Sequence, residues 1–113
     1  MRPLYEIVAL KASQWNTNRN VGLVVGATYP EELKTIRQAH PEMPLLIPGV
    51  GTQGGDLELA LRYGIDSEKR GIIINSSRGI IYAGKGADFA SAARRAAGTL
   101  RNEINKCIDD LNK

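Results

Sequence analysis

The chain has 113 residues, of which 42% are hydrophobic, 5% aromatic and 24% charged. A chain of this length can bury a core as one small domain, and this composition excludes a disordered tail. The formal net charge is +3, which a small anionic ligand explains as well as nucleic acid does. Because few aromatic side chains are available to stack on bases, we expect no nucleic-acid partner.

The chain has no apolar stretch near the roughly 18 residues that would span a bilayer. Its N-terminus carries Glu6 where a signal peptide would be apolar. The single cysteine, Cys107, excludes an internal disulfide, and we expect it to be a small half-buried residue. We therefore expect a soluble, cytoplasmic protein without contact to a membrane.

Helix and strand patterns alternate from the start of the chain. The chain opens with a mostly apolar face at helical spacing, made by Leu4, Ile7, Val8, Lys11, Ala12 and Trp15. Residues 21–25 are continuously apolar, which is typical of a strand buried on both faces. Thr28 and Glu31 then form a capping-box pair around Pro30, which predicts a helix that ends near His40.

Two similar units follow. A strand near residues 43–47 leads into a glycine-rich loop and a short helix over residues 57–63, which Gly64 ends. A strand near residues 70–75 leads into a Ser-Ser-Arg turn and a long helix over about residues 88–111. The charged side chains of this helix lie largely off its apolar stripe, and we expect them to be solvated: Arg94, Arg95, Arg101 and Lys106.

Three strands that alternate with helices predict an α/β fold with parallel strands joined by right-handed crossovers. We find no linker, so residues 1–113 are expected to form one unit without an internal boundary. Both informative loops then follow neighbouring strands at their C-terminal ends. In α/β folds this is the edge where ligands bind.

The first loop, residues 48–56, contains Gly49, Gly51, Gly54 and Gly55 and ends at Asp56, a predicted helix cap. Gln53, at its centre, can lend an amide N–H without adding charge, and the flanking glycines would let the loop open and close over a ligand. Glycines also make tight turns, so this loop alone is weak evidence for a ligand.

The second loop offers what a phosphate dianion needs, which is several converging N–H donors and a charge-assisted fork. The backbone N–H groups of Ser77, Arg78 and Gly79 could donate hydrogen bonds to the anion, while the Arg78 guanidinium binds two of its oxygens. The alternative is that Asn75, Ser76 and Ser77 only form the turn and that Arg78 is a surface residue. The presence of both loops on neighbouring strands favours an anion site.

Other chemistries lack the residues that they require. His40, the single histidine, lies at a helix end opposite the predicted ligand edge. Near the loops there is no Cys-His or Ser-His-Asp arrangement and no cluster of metal-binding side chains. The chain also lacks a Walker-type loop. We therefore expect no metal, and the sequence favours anion binding over activation of a nucleophile.

The residues now support a more specific interpretation. Residues 46–56 read LIPGVGTQGGD, with VVGAT upstream at residues 24–28 and INSSRGIIYA downstream at residues 74–83. This series resembles the C-terminal part of orotidine 5′-phosphate decarboxylases, in the longer bacterial branch of that family. The likeness extends from about Pro3 to Leu111.

The resemblance implies a (β/α)₈ TIM barrel of which this chain would hold strands six to eight with flanking helices. It implies a decarboxylase without cofactor or metal that converts orotidine 5′-phosphate to UMP and CO₂ in de novo pyrimidine synthesis. It assigns Gln53 and Arg78 to the substrate phosphate, with backbone support from Ser77 and Gly79. Pro48 and Val50 would line the pocket for the pyrimidine ring, next to Gly51.

The chain departs from the family in one respect that concerns catalysis. The family's reaction depends on an Asp-x-Lys-x-x-Asp array on earlier strands, and no such array occurs here. We therefore assign no catalytic residue to this chain. The alternatives are a non-catalytic nucleotide-binding, phosphate-binding or assembly fragment, or another phosphate-binding barrel enzyme.

The expected partners follow from the same interpretation. One is a pyrimidine nucleotide monophosphate. Because three strands leave two sheet edges unpaired, a second is the remainder of the barrel, a partner chain, or further copies of this chain in a homo-oligomer.

Overall fold

The computed structural model describes residues 1–51 and 56–111. It confirms the predicted α/β class and the alternation of helices and strands. The described elements, in chain order, are α1 (Leu4–Trp15), β1 (Leu23–Val24), α2 (Pro30–Ala39), β2 (Leu45–Ile47), α3 (Leu57–Gly64), β3 (Ile72–Ile74), α4 (Arg78–Ile81) and α5 (Phe89–Asp110).

The described strands form one parallel sheet in the order β1-β2-β3, as predicted. The register places Leu46 opposite Val24 on one side and opposite Ile73 on the other. Both loops that the sequence singles out therefore leave the sheet at the C-terminal ends of adjacent strands, β2 and β3.

The two faces of the sheet differ in exposure. Leu45 and Ile47 of the central strand are fully buried in a core to which α1, α2 and α3 contribute. On the opposite face, Val24 is 72% exposed and Ile73 is 58% exposed. The prediction that the first strand is buried on both faces is therefore wrong, because β1 is an edge strand with one open face.

Of the face predicted for the first helix, only Ala12 is buried. Ala9 and Ala12 are the buried residues of α1, whereas Leu4 is 75% exposed and Trp15 is 71% exposed. Both alanines belong to the core cluster that also contains Leu45 and Ile47. The larger apolar side chains remain on an uncovered flank.

The helix α2 begins without the predicted capping box. Its N-cap is Tyr29, which makes no side-chain capping hydrogen bond, and Pro30 is the first helical residue. The fixed φ of proline and its missing N–H suit that position, so Thr28 is not needed as a cap. His40 follows the helix as its C-cap and faces the N-terminal end of β2, as expected.

The C-terminal part contains a helix that the sequence did not predict. The short α4 begins at Arg78 directly after the Ser-Ser turn. In α5, the charged side chains predicted to be solvated are exposed, and Cys107 is half-buried. The helical pattern of the sequence also predicts Phe89 on the apolar stripe of this helix, but Phe89 is exposed.

Gly64 acts as a packing residue and does not terminate its helix in the left-handed conformation. It is the last residue of α3, and a Cβ at this position would lie 2.8 Å from Ile47 Cδ1 and 3.4 Å from Ile72 Cγ2. The absence of a side chain therefore lets α3 approach β2 and β3 closely.

We expect Gly64→Ala to lower the free energy of unfolding by about 1–3 kcal/mol, because the added methyl group would overpack this contact. Urea unfolding would measure the change. Gly98→Ala is the matched control, since no atom lies within 4 Å of its Cβ position in α5. There we expect a gain of roughly 0.5–1 kcal/mol from helix propensity. A loss no larger at Gly64 than at Gly98 would contradict the packing role.

Arg37 organises the N-terminal end of the sheet, and the sequence did not identify it. It is a buried arginine on α2. Its Nε donates to the Gly64 carbonyl at 2.7 Å, and its Nη1 donates to the Met43 carbonyl at 2.8 Å. Its Nη2 donates to the Gly71 carbonyl at 3.0 Å. One side chain thus joins α2 to the end of α3 and to the segments that enter β2 and β3.

Candidate phosphate-binding site

The two loops meet at a small cavity beyond the C-terminal ends of β2 and β3. Its volume is about 80 Å³. Its lining comes from both loops and consists of Pro48, Gly49, Val50, Asn75, Ser76, Ser77 and Arg78. The parallel pairing of the two strands is what brings these loops together.

Glycine conformation shapes the described part of the first loop. Gly49 has φ +90° and Gly51 has φ +81°, values that residues with a Cβ seldom adopt. The Pro48 carbonyl accepts a hydrogen bond from the Ala27 N–H at 2.9 Å, which fixes the start of the loop to the segment after β1. Asp56 caps α3 as predicted, because its side chain accepts from the Leu59 N–H.

The second loop places an arginine at the cavity. The Ser77 carbonyl accepts hydrogen bonds from the N–H groups of Ile80 and Ile81 and so begins α4. Arg78, the first residue of α4, is exposed and forms no ion pair within the described residues. Its guanidinium is therefore available to an anion.

Gly79 lies against the Ser76 side chain in the turn. A Cβ at Gly79 would lie 2.9 Å from Ser76 Oγ, so a side chain there would displace Ser76.

The N–H groups in the first turn of a helix have no intrahelical acceptor. Those of Ser77, Arg78 and Gly79 donate to no backbone carbonyl within the described residues.

Asn75 also lines the cavity. Its place in the sequence indicated only a possible turn residue. Its Oδ1 is buried and has no hydrogen-bond partner in the part of the chain that the structure describes. A buried polar atom without a partner is unusual in a folded protein. Its position directly after the apolar β3 could have indicated it, since polar side chains at strand ends commonly form sites.

The structure brings together four of the predicted site residues, since Pro48, Val50, Ser77 and Arg78 all line the cavity. Gly51 and Gly79 follow or adjoin lining residues but do not line the cavity themselves. Gln53 lies outside the described residues, as do the other positions from 52 to 55. The roles of all these residues remain predictions.

The described residues indicate neither a metal site nor a membrane-spanning helix. Within residues 1–51 and 56–111, no group of three His, Cys, Asp or Glu side chains could hold a metal ion. Among the described helices, none combines the length and apolar character needed to cross a bilayer. A larger cavity of about 510 Å³ lies between α1 and β1, away from both loops, and it is lined mainly by apolar side chains.

Two curated proteins similar to this chain share one name. No family model matches it. The chain is 53% identical over 106 residues to orotidine 5′-phosphate decarboxylase of Ralstonia pickettii, which covers 93% of this chain and 39% of that protein. It is 55% identical over 103 residues to the Azoarcus enzyme of the same name, covering 90% and 38% of the two chains.

Solved structures agree with the sequence relatives. Leishmania donovani UMP synthase superposes with a TM-score of 0.78 at 44% identity, covering 95% of this chain and 23% of that one. Leishmania donovani OMP decarboxylase gives a TM-score of 0.76 at 41% identity, covering 95% and 39%. The chain thus spans about two fifths of the length of the curated relatives it matches. By sequence and fold, the chain matches the C-terminal part of orotidine 5′-phosphate decarboxylases.

Proposed function

We propose that this chain provides the phosphate-binding part of an orotidine 5′-phosphate decarboxylase, the carboxy-lyase that forms UMP and CO₂. The observation that carries the proposal is the cavity where the loops after β2 and β3 meet, with Arg78 unpaired at its wall. Since the chain spans 39% of a typical relative, the activity belongs to the complete barrel.

The cavity suits the phosphate of a nucleotide. The Arg78 guanidinium supplies a fork of donors and a fixed positive charge, which match two phosphate oxygens. The N–H groups of Ser77 and Gly79 add neutral donors at the start of α4. The pocket is small, and this size favours a phosphate group over a whole nucleotide.

The first loop would hold the rest of the ligand. Pro48 and Val50 present apolar surface beside the phosphate position, which suits the pyrimidine ring, and Gly51 gives the loop its turn. Gln53 is proposed as a phosphate ligand on the family resemblance, which places its amide in the closing loop.

The reacting groups must come from elsewhere in the barrel. The chain contains no Asp-x-Lys-x-x-Asp array, and binding energy from a remote phosphate accelerates a reaction only when reacting groups are present. We therefore propose that residues 1–113 form a single phosphate-binding unit, which acts together with the remaining barrel in the cytoplasm. The alternative is that copies of this chain associate through the exposed strand faces as a homo-oligomer.

The second candidate function is a nucleotide-binding or phosphate-binding fragment without catalysis. The missing array favours it for the chain acting alone. The two candidates share the phosphate site and differ only in turnover.

Calorimetry and an absorbance assay test both candidates. We expect the chain alone to bind uridine 5′-phosphate and to leave the absorbance of orotidine 5′-phosphate unchanged. Turnover by the chain alone would show that the missing array is dispensable. No heat at millimolar uridine 5′-phosphate would contradict the phosphate site.

A further inference from the structure

The side-chain amide of Asn75 lies at the wall of the candidate phosphate cavity without a hydrogen bond that holds it. Asn75 follows β3 directly and lines the cavity together with Ser77 and Arg78. Its Oδ1 is buried and finds no donor among residues 1–51 and 56–111. A buried amide oxygen in this state costs free energy, and such atoms are rare in folded proteins. The orphaned amide therefore indicates a group that binds a partner when the cavity is occupied.

The other polar groups at this cavity are donors. Arg78 carries a positive guanidinium, and the N–H groups of Ser77 and Gly79 donate to no backbone carbonyl in the described ranges. Asn75 Oδ1 is unpaired beside them, so these groups do not satisfy one another. A phosphate would occupy the donors, but its oxygens and Oδ1 are all acceptors. The amide must therefore change orientation if it is to bind the same anion.

Nothing in the described structure fixes the orientation of this amide. The oxygen and the NH₂ group of an asparagine have nearly the same shape, and a half-turn about the Cβ–Cγ bond exchanges them. The energy profile of this bond is broad, so the turn costs little. Asn75 makes no side-chain hydrogen bond within the described residues that would resist the turn. The NH₂ group can thus face an anion in the cavity.

We propose that Asn75 is a phosphate-binding residue, whose amide turns so that Nδ2 donates a hydrogen bond to a phosphate oxygen beside Arg78. This inference rests on the proposed phosphate site and adds a neutral side-chain donor to it. The guanidinium supplies charge and a fork of donors. The amide supplies a direction without further charge, so it fixes how the phosphate is rotated in the cavity.

Three variants of Asn75 test the role of the amide by calorimetry with uridine 5′-phosphate. Asn75→Ala removes the donor and cannot block the cavity, and we expect binding about tenfold weaker, as for loss of a hydrogen bond to a charged group. Asn75→Leu removes the donor at similar size and should show a similar loss. Asn75→Asp keeps the shape but places a carboxylate against the phosphate, so it should show the largest loss.

Stability measurements separate a binding role from a structural one. In the unliganded chain Oδ1 has no partner within the described residues, so an apolar side chain of similar size loses no hydrogen bond there. Asn75→Leu should therefore unfold in urea at the same or a higher midpoint than the unaltered chain, although it binds more weakly. A structural role for the amide would lower the midpoint instead.

Asn20→Leu is the matched control for the substitution itself. Asn20 is exposed and precedes β1, so it lies at the N-terminal end of the parallel sheet, opposite the cavity. We expect this variant to bind uridine 5′-phosphate as the unaltered chain does.

NMR of the side-chain NH₂ groups reports on Asn75 directly. Inorganic phosphate is the probe, because it has no sugar or ring and samples only the phosphate position. We expect its addition to shift the Asn75 NH₂ protons downfield, and the signal that is missing in Asn75→Ala identifies them. The NH₂ protons of Asn20 should not shift.

Several outcomes would overturn the proposal. These are unchanged affinity in Asn75→Ala, equal losses in Asn75→Leu and Asn20→Leu, a lower urea midpoint in Asn75→Leu, or an unshifted Asn75 NH₂ signal at saturating phosphate. If Arg78→Ala weakens binding and the Asn75 variants do not, the proposed function stands and only this inference fails. If the unaltered chain binds neither uridine 5′-phosphate nor phosphate, both fail.

Discussion

Replacement of Arg37 by alanine is expected to lower the free energy of unfolding by about 3–5 kcal/mol. Arg37 is only 7% exposed. Its guanidinium donates to carbonyls of the turn before β2, of the last residue of α3 and of the residue that precedes β3. The acceptors are the carbonyl oxygens of His40, Pro41, Met43, Gly64 and Gly71. Without the guanidinium, each of these carbonyls loses a hydrogen bond, although those of His40 and Gly71 keep the N–H groups of Met43 and Leu45 as donors. A buried carbonyl left without any partner costs about 1–3 kcal/mol.

The charge of Arg37 does not make this contribution pH-dependent near neutrality. Burial lowers the pKa of Arg37, and the nearby Asp66 carboxylate raises it in part. Because an arginine side chain loses its proton only far above neutral pH, both the folded and the unfolded chain hold the proton at neutral pH. A lowered folded-state pKa adds stability only as the pH rises into the strongly alkaline range. We therefore expect the loss in Arg37→Ala to be the same at pH 6 and pH 8.

Arg62→Ala is the matched control, measured by urea unfolding beside Arg37→Ala. Arg62 lies on α3 and pairs with Glu58 at 2.8 Å, but both side chains are exposed. An exposed pair of this kind contributes about 0–1 kcal/mol. If the two alanine variants were equally stable, Arg37 would not hold the sheet ends together.

Arg78→Ala is expected to weaken binding of uridine 5′-phosphate by about 10- to 100-fold. Hydrogen bonds to a charged group contribute about 1.5–3 kcal/mol, and 1.4 kcal/mol corresponds to a tenfold change in affinity. Arg78 lines the cavity and has no competing ion pair within the described residues. Calorimetry would measure the change, and phosphorus NMR would detect weak binding.

Two further variants interpret the Arg78 result. Arg78→Lys keeps the charge but loses the planar fork, so we expect an intermediate loss. Arg94→Ala removes an equal charge from the exposed face of α5, away from the cavity, and should leave affinity unchanged. Equal losses in Arg78→Ala and Arg94→Ala would indicate only a general effect of net charge.

Local patterns in the sequence were enough to predict the fold class. Short apolar runs separated by helical periodicity led to parallel strands with helices between them, and the structure confirms both. The pattern could not show which face of α1 is buried. Leu4 and Trp15 are more hydrophobic than Ala9 and Ala12, yet the alanines are the residues that lie in the core, because burial depends on which side of the helix the rest of the fold covers.

The sequence by itself indicated the family resemblance and the two loops that line the candidate site. Consecutive residues in a fixed order specify a motif, and they need no tertiary information. The tertiary structure decided which of those residues share a cavity, because that depends on β2 and β3 lying side by side. It also showed the role of Arg37, whose acceptors come from segments up to 34 residues away, and the open edge of β1. Such contacts depend on long-range packing, which no local pattern of residues records.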